Sequence, residues 1–408
     1  MKLLASLLCS LVWANASAPG FSEERLARLP AFMAQATDVR GYLGAVTLVA
    51  LGGETVHWQA VGHQDLARRV PMSRDSIFRI YSMSKPIATV AVLMLMEEGR
   101  LALDDAVARH LPEFENLLVL GGGSADALRK PLRPLTIRHL LTHTAGLATS
   151  AAVSPAAHQK LQSAEPSAAD DLQGFAARVA RAPLASDPGQ RFEYDGVPIE
   201  LASHLVEVVS GITFERFLQE RIFAPLKMQD TGFEVPDSQR HRVVDISAMG
   251  DQGKLVIAAG RSAVQPGVRL NAYASGAGGL YSTAADYLRF CRMLLNGGEL
   301  DGQRLLGRKT VELMMLNQLG AINPPHMSGL PAEGFGLGGS VLLDVAQRGR
   351  PGSVGQFGWS GAASTYFTID RKEGLIALLL MQHLHRDGSP DLPKISAQFY
   401  TLVYQALN

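Results

Sequence analysis

The sequence contains little cysteine and no long apolar segment. Its 408 residues include two cysteines, Cys9 and Cys291. Two isolated cysteines form neither a CxxC zinc site nor a redox pair. The longer apolar runs, at residues 87–96 and 375–381, are shorter than the roughly 20 residues that a membrane-spanning helix needs. We therefore expect these runs to lie in a protein core, and we expect no membrane span.

The chain also carries no excess of either charge. Lysine plus arginine and aspartate plus glutamate are both 38. Proteins that bind nucleic acid usually present a basic surface that neutralises phosphates. The balanced composition therefore predicts that nucleic acid is not a partner.

The first residues have the pattern of an export signal. A lysine precedes the apolar run at residues 3–13, and the small residues Ala14, Ala16 and Ala18 follow it. Signal peptidase requires small residues with this spacing. We predict a leader over residues 1–18 and an exported protein, periplasmic or secreted. Cleavage after Ala16 is favoured over cleavage after Ala18, because Pro19 would follow the latter.

Periodicity predicts strands near both ends of the chain and helices between them. Residues 44–62 alternate apolar and polar side chains around Gly52 and Gly53, as in a β-hairpin. Near the other end, GFGLGGSVLLD, GWSGAASTYFTID and GLIALLLMQ predict three strands joined by turns. Helical periodicity or composition predicts helices at residues 80–101, 135–146, 168–181, 197–209, 214–222, 284–295 and 390–407. Residues 148–165, rich in alanine and serine without a period, are predicted to be a loop.

This order predicts an α/β (α+β) fold in which helices flank an antiparallel sheet. Strands from both ends would form one discontinuous domain, residues 19–103 and 272–408. A mainly helical domain, residues 104–271, would be inserted between its two parts.

A serine and a lysine stand three residues apart at the head of the apolar run that begins at residue 80. In a helix this spacing places Ser82 and Lys85 on the same side. A lysine amine beside a serine hydroxyl can activate that hydroxyl as a nucleophile. A serine at a helix start is also a common N-cap, so the pair alone leaves both interpretations open.

Two further motifs favour the catalytic interpretation of Ser82 and Lys85. The segment PLASDPGQRFEYDG places Tyr194 just before a predicted amphipathic helix, and FGWSGAASTYFTID opens a C-terminal strand with Trp359, Ser360 and Gly361. With HLLTHTAGL and GAGGLYSTAADYLRFCRMLLNGGEL, the chain resembles the serine β-lactamase and penicillin-binding superfamily. It is most similar to the class C-like branch and to family VIII carboxylesterases.

The resemblance implies a role for each matching residue. Ser82 would be the acylated nucleophile, Lys85 its amine partner and Tyr194 the general base or proton relay. Free lysine and tyrosine side chains both titrate near ~10, so each must stabilise an unusual protonation state of the other, in a cluster that shares one mobile proton. The backbone amides of Ser82 and Ala362 would form the oxyanion hole.

The strand motif, Trp359, Ser360 and Gly361, would contact substrate. We expect no metal and no cofactor. Lactamases and peptidases of the superfamily have lysine or histidine where this chain has Trp359, a cation that faces the carboxylate of their substrate. Their second motif usually ends in asparagine, where this chain has Gly196. Both differences favour a small-molecule ester without charge as the substrate.

Two other functions stay open at this point. The chain could be a class C-like β-lactamase or a D-alanyl-D-alanine carboxypeptidase. It could also be a non-catalytic relative that binds peptidoglycan fragments or a partner, although such a relative would be expected to have lost Ser82, Lys85 or Tyr194. No serine lies in a GxSxG motif, which argues against an α/β-hydrolase. The sequence does not indicate an oligomeric state.

Three histidines are expected to be structural. His143 stands at the end of a predicted helix, where a hydrogen-bonding role is more common than a catalytic one. His383 and His385 are two residues apart, but no carboxylate or cysteine joins them at the spacing of a metal site.

Overall fold

The fold is given by a computed structural model in which residues 20–38, 41–120, 127–386 and 390–408 are described. The leader predicted over residues 1–18 lies outside the described residues.

The strands are β1 (Gly44–Leu51), β2 (Glu54–Gly62), β3 (Phe78–Arg79), β4 (Val119–Leu120), β5 (Leu128–Arg129), β6 (Ser247–Met249), β7 (Leu255–Ile257), β8 (Tyr281–Ser282), β9 (Glu299–Leu300), β10 (Gln303–Arg304), β11 (Glu333–Phe335), β12 (Ser340–Leu342), β13 (Phe357–Gly361), β14 (Thr365–Asp370), β15 (Leu375–Leu380) and β16 (His383–Leu384). The α-helices are α1 (Glu23–Leu26), α2 (Arg28–Asp38), α3 (Ser84–Glu97), α4 (Ile137–Leu141), α5 (Pro155–Ser163), α6 (Leu172–Val179), α7 (Val197–Ser210), α8 (Phe214–Leu218), α9 (Arg261–Val264), α10 (Ala284–Leu295), α11 (Arg308–Met314), α12 (Val345–Arg348) and α13 (Ser396–Tyr404).

The largest sheet joins strands from the two ends of the chain. Its order is β11-β12-β13-β14-β15-β1-β2, and each neighbouring pair is antiparallel. The predicted antiparallel sheet flanked by helices is therefore confirmed. The predicted domain boundaries at residues 103 and 271 stay a prediction.

Both faces of the sheet are covered, which explains why β1 and β15 have continuous apolar runs. Val46 and Leu48 belong to the larger hydrophobic core, which also contains α3 and α10. Ala45 and Val49 face the opposite way, into a second core with α2 and α13. Since side chains alternate along a strand, a strand that is buried on both faces needs apolar residues at nearly every position.

Helix α3 runs through the centre of the larger core. Every residue from Ser84 to Leu95 is buried, so the helix has no solvent-facing stripe. A 3-10 turn, Tyr81–Met83, leads into it. This turn is fixed from several sides: the Ile80 N–H donates to the Leu280 carbonyl at 3.0 Å, and the Tyr287 hydroxyl donates to the Met83 carbonyl at 2.9 Å.

Three predictions about secondary structure were wrong in part. Residues 148–165 are not only loop, because α5 forms within them: Ser154 caps its N-terminus, Pro155 takes the first position, and Ala157 and Leu161 are buried. The three predicted C-terminal strands are five, because the first two segments each fold into a hairpin, β11–β12 and β13–β14. The last helix begins at Ser396 and not at residue 390, since Pro393 disfavours helical backbone just before it.

Among the described residues, no single helix is long and apolar enough to cross a membrane. One bent pair, Val197–Ser210 with Phe214–Phe223, passes the test by length and composition only, with 80° between its two parts.

Candidate active site

The structure brings Ser82 and Lys85 into direct contact. Ser82 lies in the 3-10 turn before α3 and is half-buried, whereas Lys85 lies in the first turn of α3 and is 3% exposed. Lys85 Nζ donates a hydrogen bond to Ser82 Oγ at 3.0 Å. The neighbouring Ser84 is fully buried and accepts a hydrogen bond from the Leu280 N–H at 3.3 Å. Of Ser82 and Ser84, Ser82 is therefore the one that a substrate can reach.

The Lys85 amine has a second fixed partner. Nζ donates to the carbonyl oxygen of Ala277 at 2.8 Å. Among the described residues, no carboxylate oxygen lies within ion-pair distance of Lys85. The amine is therefore buried and held by two neutral oxygen atoms, one of which belongs to the candidate nucleophile.

Tyr194 lies over Lys85, in the loop that precedes α7. The centre of its ring is 4.9 Å from Lys85 Nζ. Its hydroxyl oxygen accepts a hydrogen bond from the indole Nε1 of Trp359 at 2.9 Å. The structure thus brings the three predicted residues together, but within the described part of the chain the Tyr194 hydroxyl bonds to Trp359 and not to Ser82 or Lys85.

Aromatic contacts explain how the Tyr194 ring is held. His143 packs against one side with 4.7 Å between ring centres, and Trp359 lies on another at 4.9 Å. Phe335 meets Trp359 edge-on at 5.1 Å. These contacts hold the ring in place, and Tyr194 remains 39% exposed.

His143 has the structural surroundings that the sequence predicted, with one addition. The side chain is 1% exposed, and burial together with the charge of Lys85 holds its pKa well below the usual histidine value. It is therefore neutral at physiological pH, and its Nδ1 accepts a hydrogen bond from the Asp195 N–H at 3.5 Å. The addition is its contact with Tyr194, which the sequence did not predict, because His143 and Tyr194 lie in separate segments.

Strand β13 lies close to the serine turn, the 3-10 turn Tyr81–Met83 that contains Ser82. Glycine at position 361 makes this close approach possible. A Cβ atom on Gly361 would lie 2.3 Å from the carbonyl oxygen of Ile80 and 2.2 Å from Thr365 Oγ1. Strand β12 pairs with β13 only as far as Gly358, so residues 359–361 have a strand neighbour on one side only. Ala362 is exposed in the turn that follows β13. The oxyanion role of Ala362 and the substrate contacts of Trp359, Ser360 and Gly361 stay predictions.

A cavity of about 480 Å³ opens above the serine and the lysine. Its wall includes two carboxyl groups that the sequence analysis did not identify, Asp195 and Glu200. Burial raises the pKa of Asp195 and raises that of Glu200 to about 7. The other lining residues include Ser167, Phe175, Tyr194, Gly196, Val197, Leu270, Asn271, Tyr273, Ser275, Ala277 and Gly278.

The expectation that no carboxylate joins His383 and His385 was wrong. Asp391 lies with them, its Oδ1 2.7 Å from His383 Nε2 and its Oδ2 3.8 Å from His385 Nδ1. Asp391 also accepts hydrogen bonds from the N–H groups of Arg386 at 2.8 Å and Leu392 at 2.6 Å. These contacts give Asp391 a structural role, because they hold the chain that follows β16 in place.

Comparison with known proteins places this fold and site in a family. The family model Beta-lactamase matches residues 29–398. An uncharacterized protein of Mycobacterium tuberculosis is 35% identical, covering 89% of this chain and 94% of its own. Esterase EstB of Burkholderia gladioli is 32% identical, covering 87% of this chain and 89% of its own.

A solved structure gives the same result. The structure titled "EstCE1, a hydrolase with promiscuous acyltransferase activity" superposes with a TM-score of 0.75 at 25% identity, covering 94% of this chain and 98% of its own. The protein is a serine hydrolase. More specifically, the chain belongs to the Beta-lactamase family, which confirms the resemblance seen in the sequence.

Proposed function

We propose that this protein is a serine carboxylesterase that hydrolyses small to medium, mostly uncharged esters through an acyl-enzyme on Ser82. The observation that carries the proposal is the hydrogen bond from Lys85 Nζ to Ser82 Oγ at 3.0 Å, at the floor of a cavity that Tyr194 also lines. A nucleophile, an adjacent amine and a second proton carrier are the groups that acyl transfer requires.

In the proposed reaction, Ser82 Oγ attacks the ester carbonyl and its proton passes to the Lys85 and Tyr194 pair. The backbone amides of Ser82 and Ala362 stabilise the oxyanion. Collapse of the tetrahedral intermediate breaks the ester C–O bond, and the departing alkoxide takes the proton from the same pair. Water then attacks the acyl-enzyme by the reverse route, which releases the acid and restores Ser82.

The bond between Trp359 and Tyr194 supports this chemistry. An indole N–H that donates to a phenol oxygen stabilises the phenolate more than the neutral phenol. The donor at 2.9 Å therefore favours Tyr194 as a proton acceptor. A lysine at this position would do the same but would also attract anionic substrates.

The charges around the cavity support an uncharged ester over a β-lactam. Among its described lining residues, Lys85 is the only cation, and it is already bonded to Ser82 and Ala277. A substrate carboxylate would instead meet the carboxyl groups of Asp195 and Glu200. Turnover of β-lactams should therefore be weak, although the acyl-enzyme chemistry would be the same.

The cavity volume supports small to medium substrates. Ligand sites usually have volumes of about 300–1,000 Å³, and this cavity, at about 480 Å³, lies in the lower half of that range. A short acyl chain with a modest alcohol would fit this space.

A paired measurement tests the proposal. The purified protein should hydrolyse p-nitrophenyl butyrate with a much higher kcat/KM than nitrocefin, and Ser82→Ala should abolish ester hydrolysis. A fluorophosphonate should label the peptide that contains Ser82. The matched control Ser84→Ala, two residues away, should keep that label. Faster nitrocefin turnover would indicate a β-lactamase, and an adduct on another serine would refute the assignment.

We also propose that the protein is exported, periplasmic or secreted. The support is the lysine, apolar run and small residues of the first 18 positions. Expression in a Gram-negative host tests it, since the mass of the product outside the cytoplasm should show cleavage near Ala16. An uncleaved product that stays in the cytoplasm would refute it.

A further inference from the structure

Lys85 is a buried cation without an ion pair in the described part of the chain. Its amine is held by Ser82 Oγ and by the Ala277 carbonyl, both of which are neutral. A buried ammonium is costly unless a nearby negative charge compensates it. The surroundings of Lys85 should therefore contain a counter-charge that acts at a somewhat longer distance.

Glu200 is well placed to supply this charge. It lies in the first turns of α7, is 5% exposed and lines the same cavity as Ser82 and Lys85. Its Oε1 accepts a hydrogen bond from the Ser275 hydroxyl. Its Oε2 makes no hydrogen bond of good geometry within the described residues, although the backbone N–H groups of Gly276 and Ala277 face the carboxyl group.

The segment that holds Lys85 is also the segment that contacts Glu200. Ala277 provides the carbonyl for Lys85, and the N–H groups of Gly276 and Ala277 lower the pKa of Glu200. A Cβ atom on Gly276 would lie 2.1 Å from Ser203 Oγ. This segment is therefore packed tightly against α7, which fixes Glu200 relative to the lysine.

We propose that Glu200 is a positioning residue whose carboxylate is the counter-charge of Lys85, so that it sets the pH at which Ser82 becomes reactive. Glu200 does not touch the reacting atoms. It acts by stabilising the ammonium form of Lys85, which is the form that donates to both Ser82 and Ala277. The inference rests on the function proposed above.

The balance of forces on Glu200 agrees with this role. Burial raises the pKa of Glu200 to about 7, while the Ser275 hydrogen bond and the charge of Lys85 act in the opposite direction. The carboxyl group thus changes its charge close to neutral pH.

Other titratable groups also face this pair. Burial raises the pKa of Tyr273, in the segment before β8, above the usual tyrosine value, and the charge of Glu200 raises it further. Asp195, from the loop before α7, interacts with Lys85, as does the neutral His143. The Oδ1 of Asp195 accepts a hydrogen bond from the Val197 N–H at 2.8 Å, in the turn that leads into α7.

The test compares Glu200→Gln with the unchanged protein. Glutamine keeps the shape of the side chain and an acceptor for Ser275, but it has no charge. The rate of Ser82 labelling by a fluorophosphonate should reach half its maximum at a pH lower by about one unit, because the Lys85 and Tyr194 pair gives up its shared proton more easily without a nearby carboxylate. KM for p-nitrophenyl butyrate should stay the same while kcat changes.

Two variants serve as comparisons. Glu200→Asp keeps the charge one methylene farther away, so its half-maximal pH should lie between those of Glu200→Gln and the unchanged protein. Glu207→Gln makes the same charge change on the same helix, where Glu207 bonds to the Phe214 N–H at 2.9 Å and does not line the cavity, and it should leave the pH profile unchanged.

The outcomes separate this inference from the proposed function. If the unchanged protein is not labelled at Ser82, the proposed function fails and this inference fails with it. If Ser82 is labelled but Glu200→Gln has the original pH profile, or the profile moves to higher pH, only this inference is refuted. Should Glu200→Gln not fold, Glu200→Asp decides, and an unchanged or higher half-maximal pH refutes the inference.

Discussion

Trp359→Phe should slow ester hydrolysis about tenfold. Phenylalanine keeps an aromatic ring against Tyr194 and Phe335 but removes the indole N–H that donates to the Tyr194 hydroxyl at 2.9 Å. A hydrogen bond to a charged group contributes about 1.5–3 kcal/mol. Because Tyr194 is 39% exposed, water can replace part of the lost bond, so the lower figure applies. A change of ~1.4 kcal/mol in the barrier corresponds to a tenfold change in rate.

The assay is steady-state hydrolysis of p-nitrophenyl butyrate across pH 6 to 9. The loss should appear in kcat and not in KM, since the missing bond stabilises the phenolate form of Tyr194 and does not contact substrate. The pH of half-maximal rate should rise, because the phenolate has lost a donor that favoured it. This shift is opposite in direction to that expected for Glu200→Gln.

Trp58→Phe is the matched control. It removes the same indole group from a tryptophan that packs against the larger core and whose Nε1 has no hydrogen-bond partner among the described residues. It should leave the pH profile unchanged. If Trp359→Phe behaves like Trp58→Phe, or if it raises KM with no change in kcat, the indole N–H has no part in proton transfer and Trp359 is only a wall of the site.

Two further predictions concern the serine turn and its proton carriers. Lys85→Ala and Tyr194→Phe should each lower kcat by several orders of magnitude, and the double variant should lose little more, because members of one catalytic unit are not additive; losses that multiply would indicate separate roles. Gly361→Ala should destabilise the protein by about 1–3 kcal/mol and lower kcat, because its Cβ would lie 2.3 Å from the Ile80 carbonyl oxygen. The control Gly232→Ala, whose Cβ would meet nothing closer than 3.5 Å, should show neither effect in thermal unfolding and ester assays, and equal effects in both variants would refute the close-contact argument.

Much of the fold could be predicted where local signals are strong. Helix α10 has the predicted bounds, residues 284–295, because Thr283 caps it and an apolar stripe continues along it. Helix α5 was missed because alanine and serine do not show a clear period. Its two signals, Ser154 as a cap and Pro155 at the first position, are short and easily taken for loop residues.

The candidate site was predictable to the extent that its residues lie in local motifs. The spacing of Ser82 and Lys85 indicates a shared helical face, and the structure gives the expected contact. The bond from Trp359 to Tyr194 joins residues 165 positions apart, and the Ser275 bond to Glu200 joins residues 75 positions apart. No local period relates such pairs, so they become visible only when the sheet edge, α7 and the serine turn are assembled.

The assembled site suggests why a neutral donor suits the proposed substrate. In the proposed mechanism, Trp359 favours the phenolate of Tyr194, and Glu200 favours the ammonium of Lys85. Both interactions stabilise opposite charges on two side chains in contact, which is the arrangement that accepts a proton from Ser82. A lysine at position 359 would stabilise the same phenolate, but its positive charge would also draw carboxylate-bearing substrates toward the serine. The indole N–H of Trp359 stabilises the phenolate of Tyr194 without adding a positive charge to the site. It therefore activates the tyrosine but does not attract carboxylate-bearing substrates, which suits an uncharged ester.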